Sequence, residues 1–255
     1  MKSGICKLCL ENKPLCKESH IFPRFMYKLL FGENNQLVIV DVKGHKIRHN
    51  GEYEGLILCE NCDNIIIGRL DSYAAKFMHG GFPNNTTPRH EVIDGRECII
   101  RENDPSYDYE KLKLFFLSLL WRASISSRPF FKNVKLSAEI EEDLRQRIFT
   151  GQPGEPDVYP CFINLPPIVD VGNNQKGFSL TYMPIMSPEY IEKDNLKICQ
   201  FVILGVHYYY IIAKPENMNV IPSMCKEKLT MVFNTVEEQS QLINAMIELM
   251  KGHKR

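Results

Sequence analysis

An excess of charge of either sign is missing: Lys and Arg number 31, Asp and Glu also number 31, and the formal net charge is zero. No global field therefore draws the chain to a polyanion or a membrane, and any nucleic-acid site has to be a local patch. A long apolar run is missing too. The longest, Leu112 to Trp121, contains Lys113 and stops at Arg122, well short of the ~20 residues that a spanning helix needs. Repeats and low-complexity tracts are lacking, so nothing in the chain reads as an array or a disordered tail. Met1 to Ile5 run straight into Cys6, leaving no room for a signal peptide. The 9 cysteines are an odd count and the clearest four have metal-type spacing, which argues against a secreted disulfide scaffold. A soluble, cytoplasmic protein is expected.

What is present is ordinary globular material, 44% hydrophobic and 24% charged over 255 residues. That is enough to bury a substantial core and to form two units. The organising feature is a pair of Cys-x-x-Cys motifs, Cys6-Lys7-Leu8-Cys9 and Cys59-Glu60-Asn61-Cys62. Four thiolates match the tetrahedral all-sulfur shell of closed structural zinc sites, and each pair turns both sulfurs toward one ion. Four unrelated buried thiols is the alternative, disfavoured by the recurrence of the spacing.

Between the pairs, Pro23 is placed to open a short helix to Phe31, Gln36–Val42 reads as a strand, and Lys43-Gly44-His45 as a hairpin turn. Leu56–Leu58 reads as a short strand delivering Cys59. From Asp63 to His79 apolar residues recur every three or four positions, predicting an amphipathic helix closed by Gly80-Gly81. Knuckle, strands, second Cys pair and helix in that order form a treble-clef arrangement. Its last ligands sit at a helix N-terminus, where backbone N–H groups favour thiolates. A hairpin around Asp94-Gly95 follows, and Asn103-Asp104-Pro105 is the expected boundary, dividing residues 1–103 from 104–255.

The second unit opens with a helix over Tyr107–Ser126, apolar on nearly all sides and hence expected at the centre of a core. A second helix covers Ala138–Phe149, and Gly151–Pro160 is a loop. Strands are expected at Tyr159–Leu165, Gly177–Ile185, Ile198–Leu204 and Tyr208–Ala213. Thr235-Val236-Glu237-Glu238 fits the capping box of a final helix burying Leu242, Ala245, Met246 and Leu249. The fold class is α+β: a small zinc-stapled domain, then an antiparallel sheet with flanking helices.

Cys6-x-x-Cys9, Ser19-His20-Ile21-Phe22-Pro23 and Cys59-x-x-Cys62 together resemble the zinc-containing branch of the HNH endonuclease superfamily, over about the first 80 residues. The placing of His-Ile-x-Pro between the Cys pairs carries the match. The resemblance implies action on DNA or RNA, a host-defence setting, and His20 as the general base that takes a proton from the attacking water. It implies a catalytic Mg²⁺ or Mn²⁺ held by Asp63 or Asn64 at the helix start. Ser19 stands where the family carries an acid, and no His follows Cys62 in the helix. A packing, capping or zinc-ligating role for His20 is the bland counterpart. A degenerate treble clef acting as an adaptor is the alternative for the whole. The second unit is expected to serve recognition, dimerisation or a protein partner. Cys16 reads as a filler thiol able to compete for the metal.

Overall fold

In a computed structural model of the chain, residues 2–28, 37–41, 44–48, 53–79, 87–170, 176–178, 185–238, 240–241 and 244 are described. The chain opens on a hairpin of β1 (Ser3–Ile5) and β2 (Asn12–Pro14), joined by the Cys6–Cys9 loop. Leu10 turns the chain back with φ 62°, its N–H donating to the Cys6 carbonyl at 2.9 Å. Next come β3 (Ser19–His20), the hairpin of β4 (Leu37–Asp41) and β5 (Gly44–Arg48), and β6 (Tyr53–Glu54), which pairs with β3. The helix expected after Pro23 is a single 3₁₀ turn over Arg24–Met26, and residues 29–36 lie outside those described. Leu56–Leu58 is not a strand, because Leu56 adopts φ 63°, a left-handed conformation that interrupts extended backbone. The segment is still paired: Cys16 N–H donates to the Leu58 carbonyl and Leu56 N–H to the Cys16 carbonyl, both at 2.8 Å.

The helix after the second Cys pair begins differently from expectation. Asn61–Ile67 is π-helical, and only then does α1 (Gly68–Met78) continue as an α-helix. The Gly68 N–H reaches the carbonyl of Asp63, five residues back. A Cβ at Gly68 would lie 3.3 Å from that same oxygen, so glycine suits this close approach.

β7 (Arg89–Ile93) and β8 (Arg96–Glu102) form a hairpin about Asp94-Gly95, both at positive φ (50° and 78°) as a type I′ turn requires. α2 (Tyr109–Ser124) is capped by the Asp108 carboxylate, which accepts from the Lys111 N–H at 3.0 Å, and it is buried at every residue from Leu112 to Ala123. Two of those residues are charged. Lys113 anchors the following loop by donating to the carbonyls of Pro156 (3.2 Å) and Tyr159 (3.1 Å), and burial pulls its pKa down to about 8. α3 (Ala138–Thr150) runs from the Ser137 cap to Gly151, a left-handed residue at φ 75°.

The remaining strands are β9 (Cys161–Leu165), the small pair β10 (Ile168–Asp170) and β11 (Lys176–Phe178), β12 (Ile185–Lys193), β13 (Leu196–Ile203), β14 (Val206–Ala213) and β15 (Lys228–Phe233). The strand expected over Gly177–Ile185 is thus split between the end of β11 and the start of β12, with 179–184 outside the described residues. Nine strands join one sheet in the order β5-β4-β12-β13-β14-β9-β15-β8-β7. It is mixed rather than antiparallel throughout, because β12 runs parallel to β4 and β15 parallel to β9. Tyr208 and Tyr210 are buried, and Phe116 of α2 lies 5.5 Å from the Tyr208 ring; Tyr209 points to the other face.

Sheet and core both span the 103/104 boundary drawn from sequence. Val40 pairs with Met186, Thr230 with Ile100, and the Phe22 ring lies 5.1 Å from Phe131 and 5.2 Å from Phe201. One cluster of buried side chains runs from Cys6 through α2 to Leu229. Among the described residues no helix is long and apolar enough to cross a membrane. The capping box is present, with the Thr235 hydroxyl accepting from Glu238 N–H (3.1 Å) and the Glu238 carboxylate accepting from Thr235 N–H (2.8 Å). The expected apolar face of that last helix lies outside the described residues.

Candidate metal centre and the adjoining histidine

The sulfurs of Cys6, Cys9, Cys59 and Cys62 all lie within 4.8 Å of one another, with Cys9 and Cys59 at 4.0 Å. A tetrahedral zinc with Zn–S bonds of about 2.3 Å sets its sulfurs about 3.8 Å apart, so the set needs only slight contraction to hold such an ion. The loop and the helix start are fixed to one another by backbone. Lys7 N–H donates to the Ile57 carbonyl (2.8 Å) and Cys59 N–H to the Cys6 sulfur (3.3 Å). α3 braces the first loop from outside, as the Arg145 guanidinium donates to the Leu8 carbonyl at 2.6 Å.

Four thiols this crowded conflict electrostatically. Burial pushes the Cys6 thiol up, but the backbone N–H donors of Cys9, Cys59 and Leu8 outweigh it and bring it to about 7. Burial first, and neighbouring sulfurs next, push Cys62 far above the ordinary thiol range; burial also raises Cys9. A divalent cation removes the conflict, since it lets all four ionise together. The cluster could thus hold a metal ion and suits a structural zinc. It is the one group of three or more His, Cys, Asp or Glu with metal-ligand geometry among the described residues.

Beside this cluster, β3 turns Ser19 inward and His20 outward: Ser19 is buried and His20 exposed. Asp63, next to Cys62, is half-buried. Burial raises its pKa, the Ser19 hydroxyl and the charges of Arg122 and His20 favour its ionised form, and Asp71 opposes ionisation. The Ser19 hydroxyl makes no hydrogen bond of ordinary geometry among the described residues, so its effect on Asp63 comes from proximity. Asn64 is exposed and lines a separate groove of which His20 is not a wall. Of the two helix residues singled out in sequence, Asp63 is the one whose carboxyl feels the His20 charge. Cys16 stands apart from the four-sulfur set, and burial, then Asp63 and Glu60, raise its thiol.

Arg122 ties this region together. Its guanidinium is 1% exposed and donates to both carboxylate oxygens of Asp71 on α1 (2.9 and 3.1 Å), to the Ser118 hydroxyl (3.1 Å) and to the His20 carbonyl (3.0 Å). The loop after α2 grips the partner strand: Arg128 donates to the Tyr53 carbonyl (2.8 Å), and Glu54 accepts from the Ser126 hydroxyl and the Ser127 N–H. An arginine inside an otherwise apolar helix was the available signal that a carboxylate partner lay nearby.

Fold and cluster together define an α+β protein with a large mixed sheet and, near its N-terminus, a four-cysteine cluster that could hold a metal ion. A scan against protein-family models matches no family, and searches of curated proteins and of solved structures find no significant match.

Proposed function

We propose that the chain is a zinc-stapled, HNH-like protein of treble-clef type that acts on nucleic acid as a phosphodiester hydrolase. The observation that carries this reading is the neighbourhood of His20 and Asp63 at the edge of the four-cysteine cluster, with Arg122 holding the His20 backbone. An exposed imidazole on a fixed strand can accept a proton from water attacking phosphorus, as the P–O bond to the leaving oxygen breaks. Arg122 and β6 fix the His20 backbone relative to α1. A Mg²⁺ or Mn²⁺, if bound, would supply charge stabilisation on the phosphate. Asp63 would be the residue of this chain that offers such an ion a carboxylate. Asn64, the other residue the resemblance singles out, lines the groove of α1, α2 and α3.

A second reading has its own support. With Ser19 buried in place of an acid and no three-ligand group around His20 among the described residues, the domain suits a non-catalytic adaptor that engages a protein partner. Cleavage of plasmid DNA and structured RNA with Mg²⁺ or Mn²⁺, comparing wild type with His20→Ala at equal zinc content, separates the two. The hydrolase reading expects activity that falls about 100-fold or more in the variant, the usual weight of a general base. Equal activity in both proteins removes His20 from the mechanism, and silence in both favours the adaptor.

A further inference from the structure

A second face of the same helix carries a groove of about 640 Å³, walled by the π-helical turn, α1, the start of α2 and the end of α3. Its chemistry is lopsided. Arg69, Lys76 and Lys111 line it, and none of its lining residues is Asp or Glu, in a chain whose net charge is zero. Arg69 and Lys76 are exposed and make no ion pair among the described residues, while Lys111 pairs with Asp108 at 2.6 Å and lies 5.7 Å from the centre of the Tyr73 ring. Arg69 and Lys76 are seven residues apart, so both project from one face of α1, with Ser72 between them as a hydroxyl donor.

The groove also has apolar walls. Phe149 (43% exposed) and Ile65 (44% exposed) present bare apolar surface to it. The last turn of α3 ends here at Thr150 and Gly151. Its terminal carbonyls lack helical partners and carry partial negative charge, so they repel an anion and accept from amino groups. A ligand that satisfies both kinds of wall has anionic oxygens and a flat, amine-bearing, apolar plate. A duplex presents mainly its phosphates to such a recess and leaves Phe149 without a partner, whereas an unpaired base can stack on it.

We infer that this groove binds a nucleotide unit, its phosphate on Arg69 and Lys76 and its base against Phe149 and Ile65. The unit can belong to a single strand or be a free nucleotide. The choice of nucleic-acid chemistry rests on the function proposed above, but the groove is distinct from His20 and tested separately.

The test is fluorescence anisotropy of a labelled ten-residue oligodeoxyadenylate, whose bases carry the amino group, with the full chain, alongside calorimetric titration of ATP. The variants are Arg69→Glu/Lys76→Glu and Phe149→Ala, both at exposed positions and checked for unchanged melting temperature. Expected are binding weakened at least tenfold by the double reversal and severalfold by Phe149→Ala. In wild type, affinity should fall with salt at a logarithmic slope of about −1.4 for two phosphate contacts, and the reversal should flatten it. Oligonucleotide binding without ATP binding assigns the groove to a strand, and ATP binding assigns it to free nucleotide. Wild type that binds neither, or a double reversal that binds like wild type, overturns the inference. Binding unaffected by Phe149→Ala overturns the seat for the base. Cleavage lost in His20→Ala but binding unaltered by the reversal would leave the hydrolase standing and the groove refuted. Groove-dependent binding without cleavage would do the opposite.

Discussion

Arg122 is buried on an apolar helix and satisfied from three directions, by Asp71, Ser118 and the His20 carbonyl. A guanidinium in that position is tolerable only while its countercharge is present. Asp71→Asn keeps the shape and removes the charge, and should cost about 3 kcal/mol in urea unfolding. A loss below about 1 kcal/mol would mean that the pair contributes no more than a surface bridge. His207 presents the opposite case. It is buried on β14 beside Gln200 and Tyr209, and burial, opposed by Glu238, lowers its pKa to about 4. The unfolded chain takes up this proton near pH 6.5 and the folded chain only near 4, so its stabilising effect is complete above pH 6.5. It is lost as pH falls toward 4, by about 3 kcal/mol in all. Unfolding measured at pH 7 and pH 4.5 should show a steeper loss for wild type than for His207→Gln, and parallel curves would refute the assignment.

At the scale of elements, β3 and β6 hold His20 through a contact that only glycine permits. A Cβ on Gly55 would lie 2.3 Å from the Lys17 carbonyl oxygen, which is backbone and cannot swing aside. Gly55→Ala should cost about 2 kcal/mol or more and displace β3, seen as a drop in melting temperature together with altered His20 resonances. Local signals made much of this level legible in the sequence. The Asp94-Gly95 turn, the Ser137 and Gly151 ends of α3, the Thr235 capping box and the all-round burial of α2 each follow from residues a few positions apart. The four cysteines were legible for the same reason within each pair. What the sequence did not reveal was decided at long range or by backbone detail. The π-helical start depends on Gly68 reaching back to Asp63. β15 has no clean alternation, and it is a strand because β8 and β9 flank it. The neighbourhood of His20 and Asp63 was suggested only by resemblance, and its Arg122 brace came from a helix expected to belong to another unit.

Taken as a whole, the molecule has a built-in reporter of its unity. Its single tryptophan, Trp121, is 1% exposed in the last turn of α2, adjacent to the arginine that reaches β3. Structural zinc sites release about 10–16 kcal/mol on binding, comparable to the whole stability of a domain. Removing the ion with a chelator, or replacing Cys59 with Ser, should therefore loosen more than the first 81 residues. Trp121 emission and far-ultraviolet dichroism should change together at one chelator concentration, with metal content falling from one per chain to none. Retention of metal by Cys59→Ser would sink the four-cysteine assignment, and a tryptophan signal indifferent to chelation would mean that the staple and the sheet are energetically separate.

The parallel pairing of β4 with β12 also bears on how the chain is made. Val40 meets Met186, a partner synthesised about 145 residues later, which at ~5–20 residues per second is a wait of about 7–30 s. The β4–β5 hairpin and the cysteine pairs leave the ribosome long before the strand that completes their sheet. During that interval an open strand edge is exposed to other chains. Early metal capture, which needs nothing beyond Cys62, would then hold the nascent segment compact until its distant partner arrives.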